Sequence, residues 1–151
     1  MADTKAQTEA EFWIRRNALP EKFGQQFTKR SLLLKTGGEF SFDAVSEDGK
    51  MVAVISTSAG KTSSGKVATG NVLKIRSDML WFYMLERQPE RSLLVFTEQS
   101  VIDLISEQKK KGRFPAESEL VKVTLPPDLA AKVAASQKVA SEEVSPRRKS
   151  S

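Results

Sequence analysis

Residues 39–45 and 50–57 are two runs of alternating apolar and polar side chains, and between them lies Asp48-Gly49. This pair between alternating runs predicts a tight hairpin in which both turn residues take positive φ. In the first run Phe40, Phe42 and Ala44 share one face, with Ser41, Asp43 and Val45 on the other. In the second, Met51, Ala53 and Ile55 alternate with Val52, Val54 and Ser56. Asp43 stands out, because a carboxylate inside an apolar strand is costly to bury unless it is paired, hydrogen-bonded or bound to metal.

The chain has no cysteine and no histidine. That excludes disulfides, thiolate metal sites, a catalytic thiol, the Ser-His-Asp arrangement and the usual near-neutral general base. Chemistry, if any, falls to carboxylates, lysines, hydroxyls and an oxygen-bound metal. The 151 residues suit one domain with a core of its own. The formal charge is +5, but Arg147, Arg148 and Lys149 supply three of it, which leaves +2 for the body. Nucleic acid is thus permitted as a partner and not required. The first residues lack a basic region followed by an apolar one, and residues 79–85 are the longest apolar run, far short of a bilayer span. These features predict a cytoplasmic protein with no membrane partner.

Along the chain, Thr8 and Glu11 form a capping-box pattern before a helix reaching about Ala18. Pro20 predicts the first turn of a second helix, carrying Phe23, Phe27 and Leu32 to Leu34 and ending at Gly37-Gly38. The hairpin follows, then a loop rich in Gly, Ser, Thr and Lys over 58–70. With so little apolar surface to offset the ordering entropy, that loop is expected to be mobile. Asn71 can cap a helix running to about Gln88, with Val72, Ile75, Met79 and Phe82 on one stripe. Residues 91–97 read as an inner, parallel strand buried on both faces. A helix over 99–111, a strand over 120–125 and a helix opened by Pro126-Pro127-Asp128 complete the order, and residues 141–151 read as a disordered basic tail. This predicts an α/β domain: a mixed sheet with an antiparallel hairpin and a parallel inner strand, and helices on both faces. The predicted boundaries are an N-terminal helical extension over 1–19, the domain over 20–140 and the tail over 141–151.

The run Ser58-Ala59-Gly60-Lys61-Thr62 echoes a phosphate-binding loop. The full pattern, however, requires glycine where Ile55 stands and a helix starting at Gly-Lys-Thr. A flexible Gly/Ser/Lys loop is the simpler reading. Asp43 carries more. With the order of elements around it, the hairpin resembles the restriction-endonuclease-like (PD-(D/E)XK nuclease) superfamily. In that family one hairpin strand supplies a metal-binding Asp and the next supplies Glu-x-Lys. The resemblance covers about residues 20–97. Asp43 matches the Asp, while the Glu-x-Lys slot falls on Val54-Ile55-Ser56.

The resemblance implies metal-dependent hydrolysis of phosphodiesters, with Mg2+ between two carboxylates and a lysine assisting water. Val54 binds no cation and Ser56 carries no charge. Either the site is inactive and the fold serves binding, or it is rebuilt, with Lys61 or Lys66 as the ammonium and Glu39 or Asp78 as the second carboxylate. The alternative for Asp43 is structural: a hairpin aspartate hydrogen-bonded to neighbouring backbone. The candidate site is therefore Asp43, Lys61 and Lys66 for catalysis, Asp43 and Glu39 for metal, and Lys61, Lys66, Lys74 and Arg76 for nucleic acid, with DNA favoured over RNA. Lys109, Lys110, Lys111 and Arg113 read instead as a helix C-terminus complementing its dipole. A second class of function is a structural or interaction protein, in which the apolar 80–85 stretch forms a homodimer or partner interface.

Overall fold

A computed structural model of the chain describes residues 5–58 and 69–144. A five-stranded sheet in the order β1-β2-β3-β4-β5 lies between two helical layers. The strands are β1 (Phe27–Leu33), β2 (Glu39–Ser46), β3 (Met51–Ser56), β4 (Arg91–Phe96) and β5 (Ser118–Lys122). The first three form an antiparallel meander, and β4 and β5 continue it in parallel with β3. The expected hairpin and parallel inner strand are both present.

Helices α1 (Lys5–Trp13) and α5 (Pro127–Val144) cover one face. There Ala10, Ile14, Phe27, Ala44, Ala53, Ile55, Leu93 and Val133 form one core cluster. Helices α3 (Thr69–Met84) and α4 (Gln99–Lys110) cover the other, around Phe42, Val45, Val54, Ile75, Met79, Phe82, Phe96 and Ile105. Strands buried on both faces read as continuous apolar runs, and Leu93, Leu94, Val95 and Phe96 are all buried.

Several expectations are corrected. The helix predicted from Pro20 to Gly37-Gly38 is only the short α2 (Leu19–Phe23), stopped by Gly24 at φ +72°, and Phe27–Leu33 is a strand. The pattern of Phe27 inward on one face and Leu32 and Leu34 on the other has period two, which outweighs the helical reading. Thr8 lies inside α1 rather than capping it. Between α1 and α2 the chain widens into a π-turn (Ile14–Ala18), with Leu19 N–H donating to Ile14 C=O. Pro20 follows directly; it has no N–H to bond the carbonyl one α-turn back, and the wider turn absorbs that defect. The stretch expected as an extension over 1–19 supplies Ala10, Ile14 and Leu19, all fully buried, to the core.

The hairpin turn is also wider than predicted. Gly49 has φ +74° while Asp48 does not have positive φ, and Gly49 N–H donates to Ser46 C=O at 2.9 Å. Asp48 instead uses its side chain: Oδ1 accepts from Ser46 Oγ at 2.7 Å and from Lys50 N–H at 3.0 Å. Those donors hold its carboxyl below the usual range, the Lys50 N–H contributing most.

Helix α3 ends at Met84, short of Gln88, because the chain turns into a bridge between Leu85 and Leu34. Asn71 sits within α3, and the Gln88 side chain donates to the Phe82 carbonyl at 3.0 Å and the Leu85 carbonyl at 3.1 Å. Helix α5 continues to Val144, into the stretch read as tail. Among the described residues no helix is long and apolar enough to cross a membrane.

Candidate functional site

Strands β2 and β3 pair at Ala44 with Ala53 and Val45 with Val52, and then part. Asp43 sits where they separate. Its Oδ2 accepts the Ile55 N–H at 2.8 Å, so a side chain takes the place of a ladder carbonyl. The cause lies on the other side of β2. Thr28 faces Val45 and Arg30 faces Phe42, so Lys29 alone stands opposite both Asp43 and Ala44. That is a β-bulge, and it re-aims the bulged residue. It also explains why Phe42 packs in one core cluster and Ala44 in the other.

The end of α1 and the π-turn after it bring Glu11 and Arg15 to this fork. Arg15 Nη1 donates to the Asp43 carbonyl at 2.9 Å and contacts Glu11 Oε1 at 3.4 Å. Burial pushes the Glu11 carboxyl up, and the neighbouring Asp43 charge adds to it, against Lys29 and Arg15. On the α3 side, burial likewise raises the Asp78 carboxyl; Lys74, 3.4 Å away, opposes this and the Asp43 charge adds to it. Asp43 therefore shares its field with Glu11 on one side of the sheet and Asp78 on the other. Arg15 and Lys74 partly offset that field on the two sides.

The described residues do not fit a bound Mg2+. Among the described residues no group of three or more Asp or Glu side chains comes close enough to hold a metal ion. Asp43 already has one oxygen on Ile55 N–H. Val54 is buried in the α3-side core, at 7 % exposure, with Val72, Ile75 and Phe96. Glu39 is at the opposite end of β2, four residues or about 13 Å of strand from Asp43, and cannot share an ion with it.

Lys61 and Lys66 lie outside the described residues. Lys74 is exposed and pairs with Asp78, at the α3 mouth of the fork. Arg76 is turned away: its Nη2 donates to Gln108 Oε1 of α4 at 2.6 Å, and its Nε is buried without a partner among the described residues. It belongs to the α3–α4 contact rather than to a solvent-facing patch.

Sequence reading missed what α1 brings. Phe12 is 48 % exposed, with the Arg16 guanidinium 5.4 Å and the Arg15 guanidinium 5.8 Å from its ring centroid. The signal was present in the i, i+4 spacing of Glu11 with Arg15 and Phe12 with Arg16, which sets two adjacent stripes on one helix. Reading Glu11 as a capping residue concealed it. No protein-family model, curated protein or solved structure matches the chain.

Proposed function

We propose that the chain is a restriction-endonuclease-like domain that binds nucleic acid with metal-dependent cleavage lost or severely weakened. The observation that carries this reading is Asp43 at the fork of β2 and β3, with its carboxylate on the backbone of the Val54-Ile55-Ser56 slot. The order of elements supports the fold: a helix, three antiparallel strands, a helix and a strand parallel to the third. The slot itself supports the loss of cleavage, since Val54 and Ser56 offer neither a ligand nor a cation beside Asp43.

A nuclease assay with Mg2+ and Mn2+ on single- and double-stranded DNA and on RNA, with anisotropy binding measurements, tests it. Salt-dependent binding without turnover is expected. Turnover abolished by Asp43→Ala would establish a rebuilt site; turnover indifferent to Asp43→Ala, or no binding to any nucleic acid, would sink the proposal.

A second reading is favoured by one observation. Leu73, Leu80 and Tyr83 on α3 are 54 %, 54 % and 43 % exposed, an apolar surface that suits a homodimer or protein partner. Concentration-dependent mass in solution, lost in Leu80→Glu, is its test.

A further inference from the structure

We infer that the outward face of α3 pairs with the same face of a second copy of this chain, the two helices antiparallel and the dyad at Ser77. This deepens the second reading, that of an apolar α3 surface made for a homodimer or protein partner, and rests on it. Along α3, Val72, Ile75, Met79 and Phe82 are buried in the core on the sheet side. The 3.6-residue turn puts Gly70, Leu73, Ser77, Leu80 and Met84 on the other side, in alternating steps of three and four residues. Leu73 and Leu80 are each more than half exposed, Gly70 and Ser77 are exposed, and Met84 is half-buried. Single exposed leucines are ordinary; a helix that is apolar on both sides is one that is covered.

The order of side-chain sizes points to the chain itself as the cover. The stripe is centred on Ser77: Leu73 lies four residues before it and Leu80 three after, while Gly70 and Met84 stand seven residues to either side. An isologous contact brings residue i of one copy onto residue j of the other, and j onto i. Antiparallel pairing about Ser77 therefore sets leucine on leucine, Met84 on Gly70, and serine on serine at the dyad, where two small side chains let the helices approach. Gly70 has room for the methionine, since a methyl group added to it would meet no atom within 4 Å. A parallel pair would instead set methionine against methionine and leave a void between two glycines.

Charge does not oppose the contact. The charged side chains bordering the stripe are Lys74, Asp78 and Arg76. Lys74 pairs with Asp78 of the same helix at 3.4 Å, and the Arg76 guanidinium is turned to Gln108 of α4. The seam between them is uncharged, which suits an identical seam better than a polyanion or a charged peptide. With 16 residues α3 is about 24 Å long, so the interface is small and the dimer exchanges in solution.

The test uses the full chain, which contains no cysteine, so single-cysteine variants report the geometry directly. Sedimentation from about 1 to 500 µM should show the wild type rising toward twice the monomer mass. Leu73→Glu and Leu80→Glu should each weaken association at least about 10-fold, with melting temperatures near the wild type because both positions are exposed. Under a mild copper oxidant Ser77→Cys should cross-link to itself readily, because at the dyad two like residues come within disulfide reach. Leu73→Cys and Leu80→Cys should cross-link when mixed and not when alone. Asp103→Cys, on the exposed face of α4, sets the slow rate of chance collision. Dimerisation that responds to Leu80→Glu, with Ser77→Cys no faster than Asp103→Cys, overturns the antiparallel dyad and leaves the α3 interface standing. A dimer indifferent to both glutamates, or a monomer at every concentration, overturns both.

Discussion

The Asp43 carboxylate holds the Ile55 N–H at 2.8 Å across the gap where β2 and β3 separate. It therefore acts as a bracket between two strands whose ladder has ended, and the bulge opposite Lys29 puts it there. A structural role and a place in a site are compatible, because only one carboxylate oxygen is used by this bond.

Substitution of Asp43 separates the two roles. Asp43→Ala leaves the part-buried Ile55 N–H without its acceptor and should cost about 1–3 kcal/mol. Asp43→Asn keeps an acceptor oxygen and relieves repulsion from Glu11 and Asp78, so its stability should stay near the wild type. Urea unfolding at neutral pH distinguishes them. Equal losses for Ala and Asn would mean that the negative charge, rather than the hydrogen bond, supports the fork.

The raised carboxyls give a signed pH dependence. Glu11 is raised above its ordinary 4.5 chiefly by burial, and Asp78 above its ordinary 3.8 for the same reason. Between the ordinary and the raised value the folded chain binds more protons than the unfolded chain, so stability falls as pH rises through that window. The penalty is absent below the ordinary values and complete above the raised ones. Glu11→Gln removes its share. The variant should melt higher than the wild type at neutral pH, and the two should converge as pH falls below 4.5. The Arg91-held Glu119 acts in the opposite sense in both proteins and cancels in the comparison. A lower melting temperature for Glu11→Gln at neutral pH would show that the Arg15 pair outweighs burial.

Arg76 and Lys74 test which cations of α3 face a ligand. Arg76→Ala removes a bond to Gln108 and the packing of its stem between α3 and α4, and should cost about 1–2 kcal/mol. Its effect on nucleic-acid affinity should be small, because Nη2 is held by Gln108 and Nε is buried. Lys74 is exposed and only loosely paired, so Lys74→Ala should leave the melting temperature within about a degree or two. A large affinity loss for Arg76→Ala without a stability loss would return Arg76 to the binding surface.

The parts of the fold legible in the sequence were those with strong period. The β2–β3 hairpin, the all-apolar β4 and the buried stripe Val72, Ile75, Met79 and Phe82 follow from alternation and helical spacing alone. Strand β1 was not legible, because Thr28, Lys29, Arg30 and Ser31 are all exposed on an edge strand and dilute the apolar signal. The end of α3 was set by a distant partner, the Leu34 backbone, which no local pattern announces. The fork was half legible. Asp43 was conspicuous as a carboxylate among apolar neighbours. Its companions Glu11 and Arg15 come from a helix 28 residues away in sequence, and the bulge that aims Asp43 is a register defect visible only after pairing.

Residues 54–56 offer the strongest test of the proposed nuclease-like site. Val54→Glu with Ser56→Lys would set a carboxylate and an ammonium beside Asp43 in the Glu-x-Lys spacing. Val54 is buried in the same core cluster as Val72 and Phe96, so the first change puts a charge into an apolar core, and the Arg15 and Lys74 cations are committed elsewhere. Without metal the double variant should be less stable than the wild type, by roughly 3–5 kcal/mol if the new charges do not pair. A divalent ion bound jointly by Asp43 and the new carboxylate stabilises only the folded state, so Mg2+ or Mn2+ should raise the variant's melting temperature in proportion to the logarithm of its concentration. The wild type's melting temperature should not respond. Adding Asp43→Ala to the double variant should abolish the metal response while leaving the chain folded at low temperature, and nicking of DNA, where it appears, should disappear with it. A metal response in the double variant that survives Asp43→Ala would place the ion away from the fork and end the case for a degenerate nuclease site there.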